Sequence, residues 1–179
     1  MEATLSPTHQ QSGVLTAEEL CQEYAPSVCR FAATVTGGGP DAEDLAQEAL
    51  LRAVRSLGTY QPSRGPVEAW LWRIVVNAAR DSASRRQRLR ELTQRLGLLA
   101  RPESESVEEE VLGRLRDTDL RTQLRALALR DRTVIALRYG VGLDTDEVGA
   151  AIGLSPESAG KAIRRALARL RARLEASAK

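Results

Sequence analysis

Apolar residues in this 179-residue chain recur at spacings of three and four along nearly its whole length, and no segment alternates apolar and polar residues long enough to make a strand. Helices are then the regular elements able to bury these side chains, and the expected fold class is all-α. Thr16 followed by Glu19 has the form of a capping box and starts a first helix running toward Val35, with Pro26 a point where it can be interrupted. Gly37-Gly38-Gly39-Pro40 ends that helix and lacks the Lys-Ser/Thr sequel of a phosphate-binding loop. Asp41 is the expected N-cap of a second helix with an apolar face of Ala42, Leu45, Ala49, Ala53 and Leu57. After a turn-rich loop, Tyr60 to Gly65, Pro66 suits the first position of a third helix. That helix is expected to bury Val67, Trp70 or Leu71, Ile74 and Ala78, which leaves Arg73, Asn77, Arg80 and Ser84 on the other face. Trp70 is assigned to the core and Trp72 is left open.

Several classes of protein are excluded by what the chain lacks. It has no apolar run of eighteen residues, and residues 1–15 have neither the basic start nor the apolar stretch of a signal peptide, so no membrane insertion and a cytoplasmic location are expected. Cys21 and Cys29 on one straight helix stand about 12 Å apart, too far to bridge, and are read as reduced packing residues unless Pro26 breaks the helix. The single histidine, His9, sits in the polar N-terminus, and there is no Cys-x-x-Cys, no Cys/His or Ser/His pairing and no phosphate loop. No metal, no cofactor and no catalytic centre are therefore expected.

The net charge of +2 resolves into blocks when divided along the chain. It is −7 over residues 1–50, +2 over 51–72, +6 over 73–101, −5 over 102–119, +1 over 120–154 and +5 over 155–179. Two basic blocks flanking an acidic stretch suggest two surfaces for a polyanion, and 24 of the 26 cations are arginine, which suits phosphate and base-edge recognition. A GC-rich genome, with Ala, Leu and Gly also plentiful, explains the arginine excess equally well. Pro102 to Glu110 is acidic, low in complexity and the best linker candidate, although it also suits the first turn of a following helix.

Beyond it the periodicity predicts helices over 118–129, 131–139 and 145–152, a Gly153-Leu154-Ser155 turn and a long helix from Pro156 to about Ala176. A short helix, a glycine turn and a second helix is the arrangement that lets one helix project into a DNA groove. In the long helix Ile163, Leu167, Leu170 and Leu174 form an apolar stripe, with Lys161, Arg164, Arg165, Ala168 and Arg171 largely opposite. Ser155 can cap that helix and leave its N-terminal amides near a phosphate. An amphipathic packing helix with a solvated basic face is the alternative.

Taken together, Asp41 to Glu48, Trp70 to Asn77, Arg85-Arg86, Arg132 to Tyr139, Glu147-Val148 and Gly153-Leu154 resemble the extracytoplasmic-function class of bacterial RNA polymerase sigma factors, over about residues 20–174. The resemblance implies two small helical domains, of sigma-two and sigma-four helix-turn-helix types, joined by a flexible acidic linker. The expected division is a disordered tail over 1–15, a sigma-two-like domain over 16–95, a linker over 96–117 and a sigma-four-like domain over 118–179.

It further implies a protein that binds core RNA polymerase, at the beta-prime clamp and the beta flap, directs it to promoter DNA and helps open the duplex. Asp41, Glu43, Asp44, Gln47 and Glu48 correspond to the polymerase-docking segment, and an acidic exposed helix start also suits a basic partner on electrostatic grounds. Tyr60, Arg64, Arg73, Asn77, Arg80, Arg85 and Arg86 correspond to the part that reads and melts the minus-ten element, where a flipped base and phosphates must be held. Ser158, Lys161, Arg164 and Arg165 are the expected minus-thirty-five contacts. The chain departs from the family in having Gly160-Lys161-Ala162 where a Lys-Ser-Arg-like run is common, and Ala128-Leu129 in place of Pro-Pro. Gly160 costs roughly 1 kcal/mol of helix stability relative to Ala. Such factors are often restrained by an anti-sigma factor. The rival readings are a stand-alone helix-turn-helix regulator and a polymerase-binding adaptor.

Overall fold

The structure is a computed structural model that describes residues 15–96 and 114–177. Residues 1–14 of the expected tail and 97–113 of the expected linker lie outside the described residues. Every regular element among the described residues is helical: α1 (Ala17–Thr36), α2 (Pro40–Ser56), α3 (Val67–Arg95), α4 (Arg114–Arg125), α5 (Leu129–Ile135), α6 (Thr145–Ile152) and α7 (Pro156–Ser177). Single 3-10 turns at Leu57–Thr59 and Pro62–Arg64 lie between α2 and α3, and a wide π-helical turn, Ala136–Val141, follows α5.

The expected capping box starts α1. The Glu19 amide donates to Thr16 Oγ1 at 3.2 Å and the Thr16 amide to Glu19 Oε2 at 2.9 Å. The helix runs through Pro26 without ending. Proline removes the donor to the Gln22 carbonyl, but Gln22 and Pro26 are both exposed, so water can replace it. Cys21 and Cys29 are accordingly free thiols on one helix; Cys21 is partly buried, whereas Cys29 is exposed rather than packed. Gly37 closes the helix at φ 97°.

Two helix starts differ from the sequence expectation by one or two positions. Gly39 is the N-cap of α2, Pro40 occupies the first turn and Asp41 makes no capping bond. Proline's fixed φ and missing donor fit that first position better than any other in the segment. Pro66 is in turn the N-cap of α3, with ψ 154°, and Val67 is its first residue.

The buried face of α3 is Leu71, Trp72, Val75, Val76, Ala78 and Ala79. Trp72, at 2% exposure, is the core tryptophan, its ring 5.8 Å from that of Phe31 on α1. Trp72 shares a face with Val75, Val76 and Ala79 at helical spacing, whereas Trp70 lies 200° away and is only half-buried, like Val67 and Ile74. The core assignment of Trp70 is thus corrected: its ring packs on Tyr60, 5.5 Å away.

In the second half, α4 begins at Arg114, inside the stretch read as linker, and α5 starts at Leu129 after Ala128. The helix expected over 131–139 is α-helical to Ile135 and continues as a wider π turn to Val141, where the amides of Gly142 and Leu143 both donate to the Leu137 carbonyl, at 3.2 and 3.1 Å. Arg138 Nη1 holds the Leu143 carbonyl at 2.7 Å. Asp131, 7% exposed, receives Arg169 Nη1 at 2.7 and 3.0 Å from its two carboxylate oxygens, which ties α5 to α7. Asp144 and Glu147 form a second capping box at the start of α6.

Gly153, at φ 75°, ends α6 with its amide bonded to the Gly149 carbonyl. Gly149 itself, not singled out in the sequence, is what allows the turn to close: a Cβ there would lie 2.7 Å from the Leu154 carbonyl oxygen. A Cβ at Gly160 would meet only Arg164 Nη1 and Thr145 Cγ2, both at 3.6 Å. The two glycines should therefore respond oppositely to alanine. Gly149→Ala is expected to destabilise the helix-turn-helix by roughly 1–3 kcal/mol through forced backbone movement, and Gly160→Ala to stabilise it by about 0.5–1 kcal/mol; urea denaturation of both variants measures the pair.

Candidate nucleic-acid interface

Packing of α3 through Trp72 turns Arg73, Asn77, Arg80 and Ser84 outward, and all four are exposed. They repeat every three or four residues and form one polar stripe, as the sequence spacing predicts. Arg80 Nη1 approaches Asn77 Oδ1 at 3.5 Å. The loop before α3 stands against the start of this helix. Tyr60 is held by its hydroxyl donating to the Gly65 carbonyl at 3.3 Å and by its ring on Trp70, while Arg64 is exposed in the 3-10 turn. The pairing with Trp70 gives Tyr60 a fixed orientation that its sequence position alone did not reveal.

Arg86 does not join that stripe. It lies nine residues beyond Asn77, half a revolution around the helix, and forms an ion pair with Asp41 at the start of α2. Arg85 is exposed between the two directions. The proposed promoter-melting residues thus divide into an outward set on α3 and its preceding loop, and an arginine turned back toward α2.

On α2, Glu43, Asp44 and Gln47 are exposed and make no side-chain hydrogen bond among the described residues. Asp41 is occupied by Arg86, and Glu48 by Arg52, whose Nε donates to Glu48 Oε1 at 2.7 Å while its Nη1 donates to Asp81 Oδ2 at 2.6 Å on α3. The hydrogen bond from Arg52 holds the Glu48 carboxyl below the usual glutamate range. Of the five acidic and amide residues singled out in the sequence, three face solvent, Asp41 pairs across to Arg86 on α3, and Glu48 pairs within α2 to Arg52, which itself reaches Asp81 on α3.

The capping expected at the start of α7 is present. Ser155 Oγ accepts the Ser158 amide at 3.3 Å and its hydroxyl donates to Ser158 Oγ at 3.0 Å. Ser158 is half-buried in this cap. Lys161, Arg164 and Arg165 are exposed and with Ala168 line an open depression, although Lys161 also bonds Glu157 one turn back. Ala159, Ala162, Ile163, Ala166 and Leu170 form the buried side. Small alanines on that side let α7 approach its neighbours closely, and of the expected four-residue stripe Ile163 and Leu170 are buried while Leu167 and Leu174 are half-buried.

A short helix, a glycine turn and a capped helix with an outward basic face, preceded by a helical unit bearing its own polar stripe, define a two-part DNA-binding protein. Residues 15–89 match Sigma-70 region 2 and residues 117–170 match Sigma-70, region 4. The RNA polymerase sigma-E factor of Streptomyces coelicolor is 32% identical over 166 residues, covering 91% of this chain and 88% of the relative. The ECF RNA polymerase sigma factor SigE of Mycolicibacterium smegmatis is 33% identical over 153 residues, 85% of this chain but 59% of that longer relative. The solved sigma factor RpoE from Bartonella quintana, crystallised with the anti-sigma factor NepR, shares the fold with a TM-score of 0.69 at 24% identity, over 88% of this chain and 96% of that one.

The chain belongs to the extracytoplasmic-function class of RNA polymerase sigma factors. Sigma domains of these two kinds bind core RNA polymerase and promoter DNA, and sigma factors are regulatory rather than catalytic subunits. No helix among the described residues is long and apolar enough to cross a membrane.

The Glu48–Arg52 pair within α2 carries a pH signature. A carboxyl whose pKa is lowered on folding contributes stability above its unfolded pKa and loses it as pH falls through the folded value. Acidification through the usual glutamate range and below it should therefore loosen the Glu48–Arg52 pair within α2. NMR titration of the Glu48 carboxyl should show a low midpoint that returns to the usual range in Arg52→Gln.

Proposed function

We propose that this chain acts in the cytoplasm, with no catalytic centre of its own, as the sigma subunit that docks on core RNA polymerase through α2 and reads a promoter at two places. The two units proposed are 16–95 and 118–179, with the start of α4 at Arg114 adding to the second. Glu43, Asp44 and Gln47 face the polymerase beta-prime clamp, while Asp41 ties α2 to α3 through Arg86 and Glu48 holds Arg52, the partner of Asp81. Three exposed polar groups in front of a helix N-terminal half suit a basic partner and fast, steered association. The second unit engages the beta flap.

At the minus-ten element the outward stripe of α3 meets the melted strand. Asn77 supplies paired donor and acceptor groups for a base edge, and Arg73 and Arg80 stand one turn to either side for phosphates. Tyr60, Arg64 and Arg85 border the same strand. Arg86 can act there only by leaving Asp41, which makes it the member of the set with a competing partner.

At the minus-thirty-five element, Lys161, Arg164 and Arg165 enter or flank the groove from α7, and the Ser155–Ser158 cap presents the helix N-terminus to a phosphate. An anti-sigma factor is the further partner that membership of the class brings to this chain. The observation that carries the whole reading is the juxtaposition, within one chain, of an exposed acidic α2, a polar stripe on α3 and a capped basic recognition helix.

Two measurements separate this reading from a stand-alone operator-binding regulator or an adaptor. Asp44→Lys with Gln47→Ala should weaken binding to core polymerase by about tenfold or more, with circular dichroism unchanged; undiminished binding would contradict the docking assignment. Arg164→Ala with Arg165→Ala should reduce promoter-specific transcription and lower the log-log salt slope by roughly 0.9 for each phosphate no longer neutralised. Tight promoter binding without polymerase would favour the regulator.

A further inference from the structure

Ser158 is among the expected minus-thirty-five contacts, but it is half-buried and its hydroxyl is engaged in the cap with Ser155. Gly160 has no side chain to offer, and Ala159 and Ala162 are buried. The exposed polar side chains on the first two turns of α7 are therefore Glu157 and Lys161.

Glu157 stands on the same face as the cations. Residues 157, 161, 164, 165 and 168 follow one another at separations of three or four, and the last four line the open depression on α7. Its side chain is 78% exposed. Lys161 Nζ donates to Glu157 Oε1, while Oε2 has no partner among the described residues. One carboxylate oxygen is thus held from the next turn and the other is left to accept.

A carboxylate on a helix that enters DNA is repelled by phosphates, so it gains there only from a donor on the base edges. In the major groove those donors are the cytosine N4 and adenine N6 amino groups. Adenine sets its N7 acceptor beside N6, which opposes a carboxylate, whereas cytosine has a C–H at that place. Recognition helices contact base edges with their N-terminal residues, and Glu157 is the second residue of α7.

We propose that Glu157 is a specificity-determining residue of α7, accepting a hydrogen bond from the N4 amino group of a cytosine in the minus-thirty-five element, with Lys161 as the positioning residue that holds its carboxylate. This rests on the proposed reading of α7 and names one base for it. Lys161 lies about 6 Å further along the helix axis, less than two base steps, so its remaining donors serve an adjoining guanine edge or phosphate. The acid repels phosphates at every sequence, and only a correctly placed cytosine offsets that repulsion, so the wrong site is penalised as well as the right one favoured.

The test uses the full-length chain with core polymerase on a pool of promoters randomised across the minus-thirty-five element, with the transcribed templates sequenced. The wild-type chain should favour cytosine at one position by about fivefold or more. Glu157→Gln should move the preference at that position to adenine, because glutamine pairs with N6 and N7 together. Glu157→Ala should reduce selection there to less than about twofold and leave the other positions unchanged. Both variants alter an exposed side chain, and their circular dichroism should match the wild type.

A charge that served only the helix N-terminus or Lys161 would change all promoters by one common factor. The wild-type base preferences persisting at every position in both variants, or no cytosine preference in the wild type, would overturn the assignment of Glu157. Arg164→Ala with Arg165→Ala, run on the same pool, separates the two levels. If selection across the element weakens in that variant while Glu157→Gln leaves it untouched, the assignment of Glu157 alone falls; if the arginine variant also leaves it untouched, the minus-thirty-five role of α7 falls with it.

Discussion

The register of α3 against α1, fixed by Trp72 on Phe31, is the contact on which the other surfaces depend. With Trp72, Val75, Val76 and Ala79 buried, the helix has only one way to point Arg73, Asn77 and Arg80, and that way is outward. A rotation of α3 by 100°, one residue, would bring polar side chains of the stripe toward the core and expose valines. The same register sends Asp81 to Arg52 and Arg86 to Asp41, so the angle between α2 and α3 is set by ion pairs that exist only when the core is correctly packed. Partly exposed pairs of this kind contribute little to stability individually. Their part is orientational: they decide which acids of α2 remain available to a partner.

Charge in this protein is consequently divided by direction as well as by sequence block. The acidic first block is exposed at Glu43, Asp44 and Gln47 and internally neutralised at Asp41 and Glu48, and the basic block that follows contributes both the outward stripe and the arginine that does the neutralising. A net charge of +2 is the sum of surfaces facing different partners. The second unit follows the same logic, with the exposed Arg169 neutralising the buried Asp131 while Arg164 and Arg165, on the same helix, face solvent.

Local signals in the sequence correspond closely to local structure. Thr16 with Glu19, Gly37, Gly153 and Ser155 act as caps because capping depends on a few neighbouring residues, and the 145–152 helix was bounded by its own N-cap and glycine. The helix stripes of Arg73 to Ser84 and of Lys161 to Arg165 followed from period alone. What period could not distinguish was Trp70 from Trp72, since a 29-residue amphipathic helix with apolar residues on more than one side needs tertiary contacts to choose its core face. The wide turn after Ile135 was illegible for a similar reason: it is held by the Leu137 carbonyl taking two amides and by Arg138 reaching Leu143, interactions with no compositional mark. The role of Gly149 comes from the approach of the Leu154 carbonyl across the turn, and an isolated glycine inside a helix period reads as a blemish until that approach is seen.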